Sequence, residues 1–283
     1  MWTGIFDMAS IVITGASGFL GRALTARLDA LGLPYTAVSR RSERGCQRVA
    51  DYKDTPDGDV LIHLAEEPDR GIVNSLGEVY GEHAASLVST LVKRAGRFVY
   101  ASSGVVYGDA SDTPFSPDAE VAPTDFYSRS KVRNEALVLA SGGTVLRLSN
   151  LFGTGMSPGN VISDIARQLP RAGALKVRDD MPVRDFLNVN AVADAIALLV
   201  QVPCPGILNL GSGVGLSIRE LAVLALNSVG QQHREIIVTQ ATARRSVNIL
   251  DIAETQRRLP WSPGPSPLVA LGQFFFNRIN LDS

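Results

Sequence analysis

With 283 residues, 45% hydrophobic and 19% charged, the chain has the apolar content for a large buried core and not the composition of a disordered polymer. A net charge of −1 gives no support for binding nucleic acid or an anionic membrane, and no run of about 18 apolar residues offers a membrane span. Two cysteines, Cys46 and Cys204, lack the spacing of a metal site or a disulfide framework, so no metal is expected and a reducing cytosol is the expected compartment.

The opening MWTGIFD has no basic start of a leader, and Met8 precedes the first strand, which makes residues 1–7 a candidate dispensable extension. Ile11 to Thr14 form a β-branched run, the pattern of a strand buried on both faces. Gly15, Gly18 and Gly21 follow, and then Phe19, Leu20, Leu24 and Leu28 recur at helical spacing. A strand, a glycine turn and a helix let the backbone approach a diphosphate, with unpaired N–H groups and the positive dipole end of the helix facing it. The glycine spacing is G-x-x-G-x-x-G and not G-x-G-x-x-G.

Further along, TAVSR is a second strand ending at Arg40 and Arg41, and residues 42–58 are polar and turn-rich. DVLIHLA reads as a third buried strand, Glu78 to Ala95 as a helix stopped by Gly96, and RFVYASS as a fourth strand. Residues 108–124 form a long loop of the kind that carries function. Thr124 or Asp125 can cap a helix from about Phe126 to Ala140, and TVLRLSNLFG is another strand. This alternation predicts an α/β fold with a doubly wound parallel sheet. Gly and Pro at 153–159 mark a lobe boundary. After it come the short helix VISDIARQL, a strand and helix in RDFLNVNAVADAIALLV, the stretch GILNLGSG, a helix over Ile218 to Asn227, the strand EIIVT and a Pro-rich end at 260–267.

Tyr127 and Lys131 lie four apart on one helix and project from the same face. An ammonium beside a phenol favours the phenolate, which brings tyrosine into acid–base range. Ser103, at a strand end facing a ligand crevice, can hydrogen-bond the same substrate oxygen.

TGASGFLG, then HLA at 63–65, SSGVVYG at 102–108 and YSRSK at 127–131 resemble the extended short-chain dehydrogenase/reductase family, the NAD-dependent epimerase/dehydratase family of nucleotide-sugar enzymes. The resemblance covers about residues 10–262 and implies a Rossmann sheet with a smaller C-terminal substrate lobe. It divides the chain into a dinucleotide-binding unit at 9–150, to which 185–210 return, and a substrate lobe of 151–184 and 211–283. It gives Ser103, Tyr127 and Lys131 the catalytic roles, Lys131 also holding the nicotinamide ribose. The cofactor would lie along Gly15, Ser17, Gly18, Phe19, Leu20, Gly21, Ser39, Arg40, Asp51, Tyr52, Leu64 and Ala65. RLSN at 147–150 and VRDFLNV at 183–189 resemble stretches whose Asn and Arg, here Asn150 and Arg184, meet the diphosphate of a nucleoside-diphosphate sugar; Ser103 and Val105 would also line that substrate.

Three departures stand out. Glu66, Glu67 and Pro68 follow HLA where alanine is usual, which changes the wall near the nicotinamide. The helix from Glu78 lacks the family's Asn, with Glu82 or His83 in its neighbourhood, and TARRS at 242–246 replaces a late R-P-G-D motif, so that Arg244 or Arg245 would supply the cation. Arg40 closes the second strand, where an acid would select NAD, and with Ser39 and Arg41 it suits the 2′-phosphate of NADP, NAD being the alternative. Asp51 resembles the acid that accepts from the adenine amine. His63 reads as structural, and His83 and His233 have no metal-like spacing.

Two classes of function follow: an NADP(H)-dependent reductase or 4-epimerase of a nucleotide sugar, and a non-catalytic dinucleotide sensor. Retention of Ser103, Tyr127 and Lys131 together favours the enzyme. NADP favours net reduction, since an epimerase returns its hydride, and the resemblance argues against a dehydratase, whose usual acid pair is absent here because Gly104 and Val105 follow Ser103. A homodimer through the helices at 78–95 and 126–140 is expected.

Overall fold

Every residue of the first strand, β1 (Ile11–Thr14), is buried, and its side chains divide between two cores. Ile11 and Ile13 enter one, Val12 the other. β4 repeats the pattern with Val60 and Ile62 against Leu61, and β5 with Val99 against Phe98 and Tyr100. The period of two therefore serves two faces at once, which is why these strands read as unbroken apolar runs.

The computed structural model describes residues 9–242 and 244–281, so the extension expected at 1–7 lies outside the described residues. After β1 come α1 (Phe19–Ala30), β2 (Tyr35–Ser39), β3 (Gln47–Arg48), β4 (Gly58–His63), α2 (Arg70–Leu76), α3 (Glu78–Leu91), β5 (Ala95–Ser103), α4 (Phe126–Ala140) and β6 (Thr144–Leu148). The chain continues through β7 (Asn150–Phe152), α5 (Val161–Gln168), β8 (Leu175–Val177), β9 (Val183–Asn188), α6 (Val189–Gln201) and β10 (Gly206–Leu210). It ends with β11 (Gly215–Ser217), α7 (Ile218–Ser228), β12 (Ile236–Val238), β13 (Val247–Asn248), α8 (Ala253–Arg258) and α9 (Pro267–Leu281).

The central sheet has seven parallel strands in the order β10-β6-β5-β4-β1-β2-β3. α1 and α6 pack together over one face, and α3 and α4 pair on the other. This is the doubly wound Rossmann arrangement, whose ligands lie at the carboxyl ends of the strands. A second sheet centres on β9, which pairs with β7, β11 and β13, and a separate parallel pair joins β8 to β12. Phe152, Ile165, Phe186, Leu221, Leu271 and Phe275 fill the core of this smaller lobe. The loop at 108–124 is pinned across to it, where Val247 N–H donates to Asp109 O and Phe115 N–H to Ile249 O, each at 2.8 Å.

Some elements differ from the sequence reading. Gly96 does not stop a helix: α3 ends at Leu91, a 3-10 turn follows, and Gly96 lies inside β5. α2 and α9, which the periodicity did not mark, frame the active-site edge and the small lobe respectively. No helix among the described residues is long and apolar enough to cross a membrane.

Candidate active site

The glycine turn after β1 is packed tightly against its own backbone and the end of β4. Gly15 has φ +75°, and a Cβ there would stand 2.8 Å from the Leu64 carbonyl group and 2.9 Å from Ala65 Cα. A Cβ on Gly21 would meet Gly15 O at 2.2 Å, and one on Gly18 the same atom at 3.1 Å. Gly15 and Gly21 exclude side chains because the turn folds onto itself and onto the end of β4, and Gly18 leaves little room for one. Helices α4, α5 and α7 are capped by Asp125, Asn160 and Ser217, whereas α1 starts at Gly18 with no side-chain cap and no acid in its first turn. Its unpaired N–H groups suit an anion.

The neighbouring strand ends complete the cradle. Ser17 Oγ and Ser39 Oγ are 3.0 Å apart, and Ser39 Oγ accepts from Arg41 N–H at 3.1 Å. The exposed Arg40 guanidinium lies 5.2 Å from the Tyr52 ring centroid. Asp51 caps the turn that carries Tyr52, accepting from Lys53 N–H at 2.9 Å. Phe19 leans toward the loop at Gly153, and Leu20 packs on the core beneath the sheet. These residues fit a nicotinamide dinucleotide: the glycine turn and α1 could hold its diphosphate, and Arg40, Asp51 and Tyr52 its adenosine end.

α4 places Tyr127 and Lys131 against the end of β5. The Lys131 ammonium is 5.8 Å from the Tyr127 ring centroid and 5.0 Å from that of Tyr100. Lys131 donates to the Ala101 carbonyl at 2.8 Å and pairs with Glu66 at 2.7 Å, which commits two of its three N–H donors. Ser103 Oγ accepts from Val105 N–H at 3.4 Å, which leaves its own proton free to donate. The start of α4 is held from α2: Arg70 and Asn74 both donate to Asp125, and Tyr127 N–H donates to Asn74 Oδ1 at 3.0 Å. Of the two caps allowed by the sequence, Asp125 is the one used.

Electrostatics around Lys131 are dominated by Glu66. Burial alone would pull the lysine down, but the facing carboxylate outweighs it and holds the ammonium well above the ordinary lysine value. Glu66 resists burial in the same way and is held below its ordinary value by Lys131. Burial drives His63 down to about 4; its Nδ1 lies 2.7 Å from Thr14 Oγ1, the structural contact expected of it. Burial and Glu66 push Tyr80 up to about 12. Tyr80, not Glu82 or His83, is the α3 residue that faces this site; the other two are exposed.

The small lobe supplies cations. Arg184 donates to Val183 O at 2.8 Å, to Ser246 O at 3.0 Å and to Ser246 Oγ at 2.7 Å. Burial lowers its guanidinium, Asp109 opposes this, and Arg244 and Arg70 add repulsion, so three arginines share one field. Arg244 pairs with Asp109, while Arg245 points away to Asp112. Exposed Asn150 donates to Asp185 O at 3.1 Å on the neighbouring strand. Among the described residues no group of three or more His, Cys, Asp or Glu is placed to hold a metal ion.

Comparison with known proteins agrees with this geometry. A relative 32% identical over 267 residues, spanning 83% of this chain and 85% of its own length, is GDP-6-deoxy-D-mannose reductase of Pseudomonas aeruginosa. dTDP-L-rhamnose 4-epimerase of Burkholderia thailandensis is 24% identical over 333 residues, 92% of each chain. The solved structure of RMD from Pseudomonas aeruginosa complexed with NADPH superposes with a TM-score of 0.83 at 25% identity, covering 98% of this chain and 99% of that one. The family model of the NAD dependent epimerase/dehydratase family matches residues 11–211. With a Rossmann sheet, a glycine turn at the end of β1 and a Tyr–Lys pair on α4, the chain is an enzyme of the NAD dependent epimerase/dehydratase family, of the extended short-chain dehydrogenase/reductase type.

Proposed function

We propose that the chain reduces a keto group on a nucleoside-diphosphate sugar, such as a 4-keto-6-deoxy hexose, at the expense of NADPH. The observation that carries the reading is the Lys131 ammonium, 6% exposed, beside the Tyr127 ring at the carboxyl end of β5. The reductase relative supports the direction of the reaction. Arg40 at the end of β2, with the donors of Ser39 and Arg41, supports NADP over NAD.

When bound, the reduced nicotinamide supplies a hydride. Tyr127 gives its phenolic proton to the oxygen of the reacting ketone, and the Ser103 hydroxyl donates a hydrogen bond to the same oxygen. Lys131 turns its remaining N–H toward the nicotinamide ribose. Arg184, Arg244 and Asn150 anchor the substrate diphosphate, with Val105 lining the pocket at the strand end. The unit at 9–150 with 185–210 holds the dinucleotide, and 151–184 with 211–283 hold the sugar nucleotide. We also propose a cytosolic homodimer joined through α3 and α4, which leave Val79, Phe126 and Leu139 exposed.

A 4-epimerase is the second reading, favoured by the full-length likeness to a rhamnose 4-epimerase. Stoichiometry separates the two. Candidate nucleotide sugars are incubated with substoichiometric cofactor, reduced in one arm and oxidised in the other; a reductase should consume one NADPH per product, with loss of the reduced-nicotinamide absorbance. Many turnovers per cofactor without net absorbance change would establish epimerisation, and no turnover with tight dinucleotide binding would establish a sensor. For cofactor choice, Arg40→Ala should weaken NADPH by roughly 1.5–3 kcal/mol and leave NADH nearly untouched; equal losses would refute the 2′-phosphate contact.

A further inference from the structure

Glu66 has no task in the reaction just described, yet its side chain is only 8% exposed and turns inward toward the reacting end of α4. One carboxylate oxygen is 2.7 Å from Lys131 Nζ. The other accepts from Asn134 Nδ2 at 2.8 Å, and Tyr100 OH reaches both at 2.9 and 3.0 Å. Four elements contribute the groups around it. β4 brings His63, whose Nε2 is 4.0 Å away; β5 brings Tyr100; α4 brings Lys131, Asn134 and, one turn earlier, Tyr127. From α3 comes Tyr80, whose hydroxyl accepts the N–H of Glu67 at 2.9 Å. His63 is held neutral by burial, and the hydroxyls of Tyr80 and Tyr100 keep their protons, so the cation of Lys131 and the anion of Glu66 balance.

A balanced pair acts on its surroundings as a short dipole and not as a lone charge. A lone ammonium at the distance separating Lys131 from Tyr127 shifts a proton equilibrium by about one to two pH units, and a carboxylate in contact with it cancels most of that. Taking Tyr127 as the proton donor of the proposed reduction, we propose that Glu66 is the counter-charge of Lys131, a positioning residue that sets how far up in pH Tyr127 can still deliver its proton. In that step the carbonyl carbon gains a hydride with its electron pair from the reduced dinucleotide, which is thereby oxidised. The C=O π pair moves to oxygen, the oxygen takes the phenolic proton, and water later returns a proton to Tyr127. A chain built for the reverse oxidation needs the phenolate at the outset and gains from an uncompensated ammonium. Glu66 therefore favours the reductive direction near neutral pH.

The test is Glu66→Gln, which removes the charge and keeps the volume. Two readouts are used: the pH profile of ketone reduction, and near-ultraviolet titration of the phenolate band in the unloaded protein, each trace taken as the difference from its Tyr127→Phe counterpart. The alkaline limit of reduction and the phenolate signal should both move down by about one pH unit, and Glu66→Asp should restore most of the shift. Coincident phenolate titrations for wild type and Glu66→Gln, or a rate loss equal at every pH, would overturn the proposal. If the single variant does not fold, Glu66→Gln/Lys131→Met removes both charges and should return the wild-type titration; a shifted curve there overturns the proposal equally. Failure of the underlying reading looks different: Tyr127→Phe retaining more than about a tenth of kcat dismisses Tyr127 as donor, while the titration still reports on Glu66.

Discussion

Helix α4 carries two buried ion pairs one turn apart, Lys131 with Glu66 and Glu135 with Arg147. The inner pair is closed. Arg147 donates from Nε to both Glu135 oxygens at 3.2 Å and from Nη2 at 2.7 Å, its Nη1 donates to Pro117 O at 3.2 Å, and its face lies 4.5 Å from the Tyr107 ring centroid. Ser102 donates to the same carboxylate. The outer pair is open. Around it His63 Nε2, Asn134 Oδ1 and Ser130 Oγ are buried without a hydrogen-bond partner, and Lys131 keeps a donor to spare. A fully satisfied network fixes a structure, whereas the outer pair leaves one ammonium donor uncommitted. The same helix thus anchors the loop at 108–124 with one turn and presents Lys131 beside the Tyr127 ring with the other.

The comparison can be broken most forcefully at the closed pair. Arg147→Met leaves the Glu135 charge buried and alone, and should cost roughly 3–5 kcal/mol in urea unfolding. Glu135→Leu in the same chain should recover most of that loss, and a cost of under about 1 kcal/mol for the single variant would remove the structural role. The open pair predicts a pH signature instead. Folding holds His63 neutral down to about 4, while an unfolded histidine gains its proton near 6.5. Stability from this residue is complete above about pH 6.5 and is lost as pH falls toward 4, by roughly 3 kcal/mol. Denaturant midpoints of wild type and His63→Gln should therefore converge on acidification; parallel curves would contradict the assignment. The smallest effect belongs to the start of the helix. Asn74→Ala removes the acceptor of Tyr127 N–H and a donor to Asp125, and should cost about 1 kcal/mol of stability. Turnover should drop further than that loss explains if Asn74 also orients Tyr127.

Local pattern carried much of this molecule. The alternation of strand and helix, the glycine turn and the spacing of Tyr127 and Lys131 are short-range features, readable because periods of 2 and 3.6 residues leave distinct traces. The small sheet is different. β7, β11 and β13 have two or three residues each, too few to show a period, and they form only because β9 collects them from distant parts of the chain. Glu66 was visible as a departure from alanine, but that it turns inward depends on Lys131, Tyr100 and Asn134, three partners from other elements. Tyr80 escaped because a helix turns about 100° per residue, so choosing Glu82 instead points to the opposite face. For Arg244 the sequence allowed Arg245 equally, and Asp109 and Asp112 separate them.

The placement of α9 bears on how the chain leaves the ribosome. The seven strands of the large sheet are all available once β10 has emerged, whereas the core of the small lobe spans from Phe152 to Phe275. Leu271 and Phe275, both 0% exposed, come from α9, which is synthesised after every strand of both lobes. During translation, therefore, Phe152, Ile165 and Leu221 wait with one side uncovered, while the large sheet already has all its strands and awaits Leu259 and Trp261 to finish its core. The half that would grip the sugar nucleotide is the late-maturing one, and it is there that a nascent chain offers apolar surface to chaperones or to aggregation.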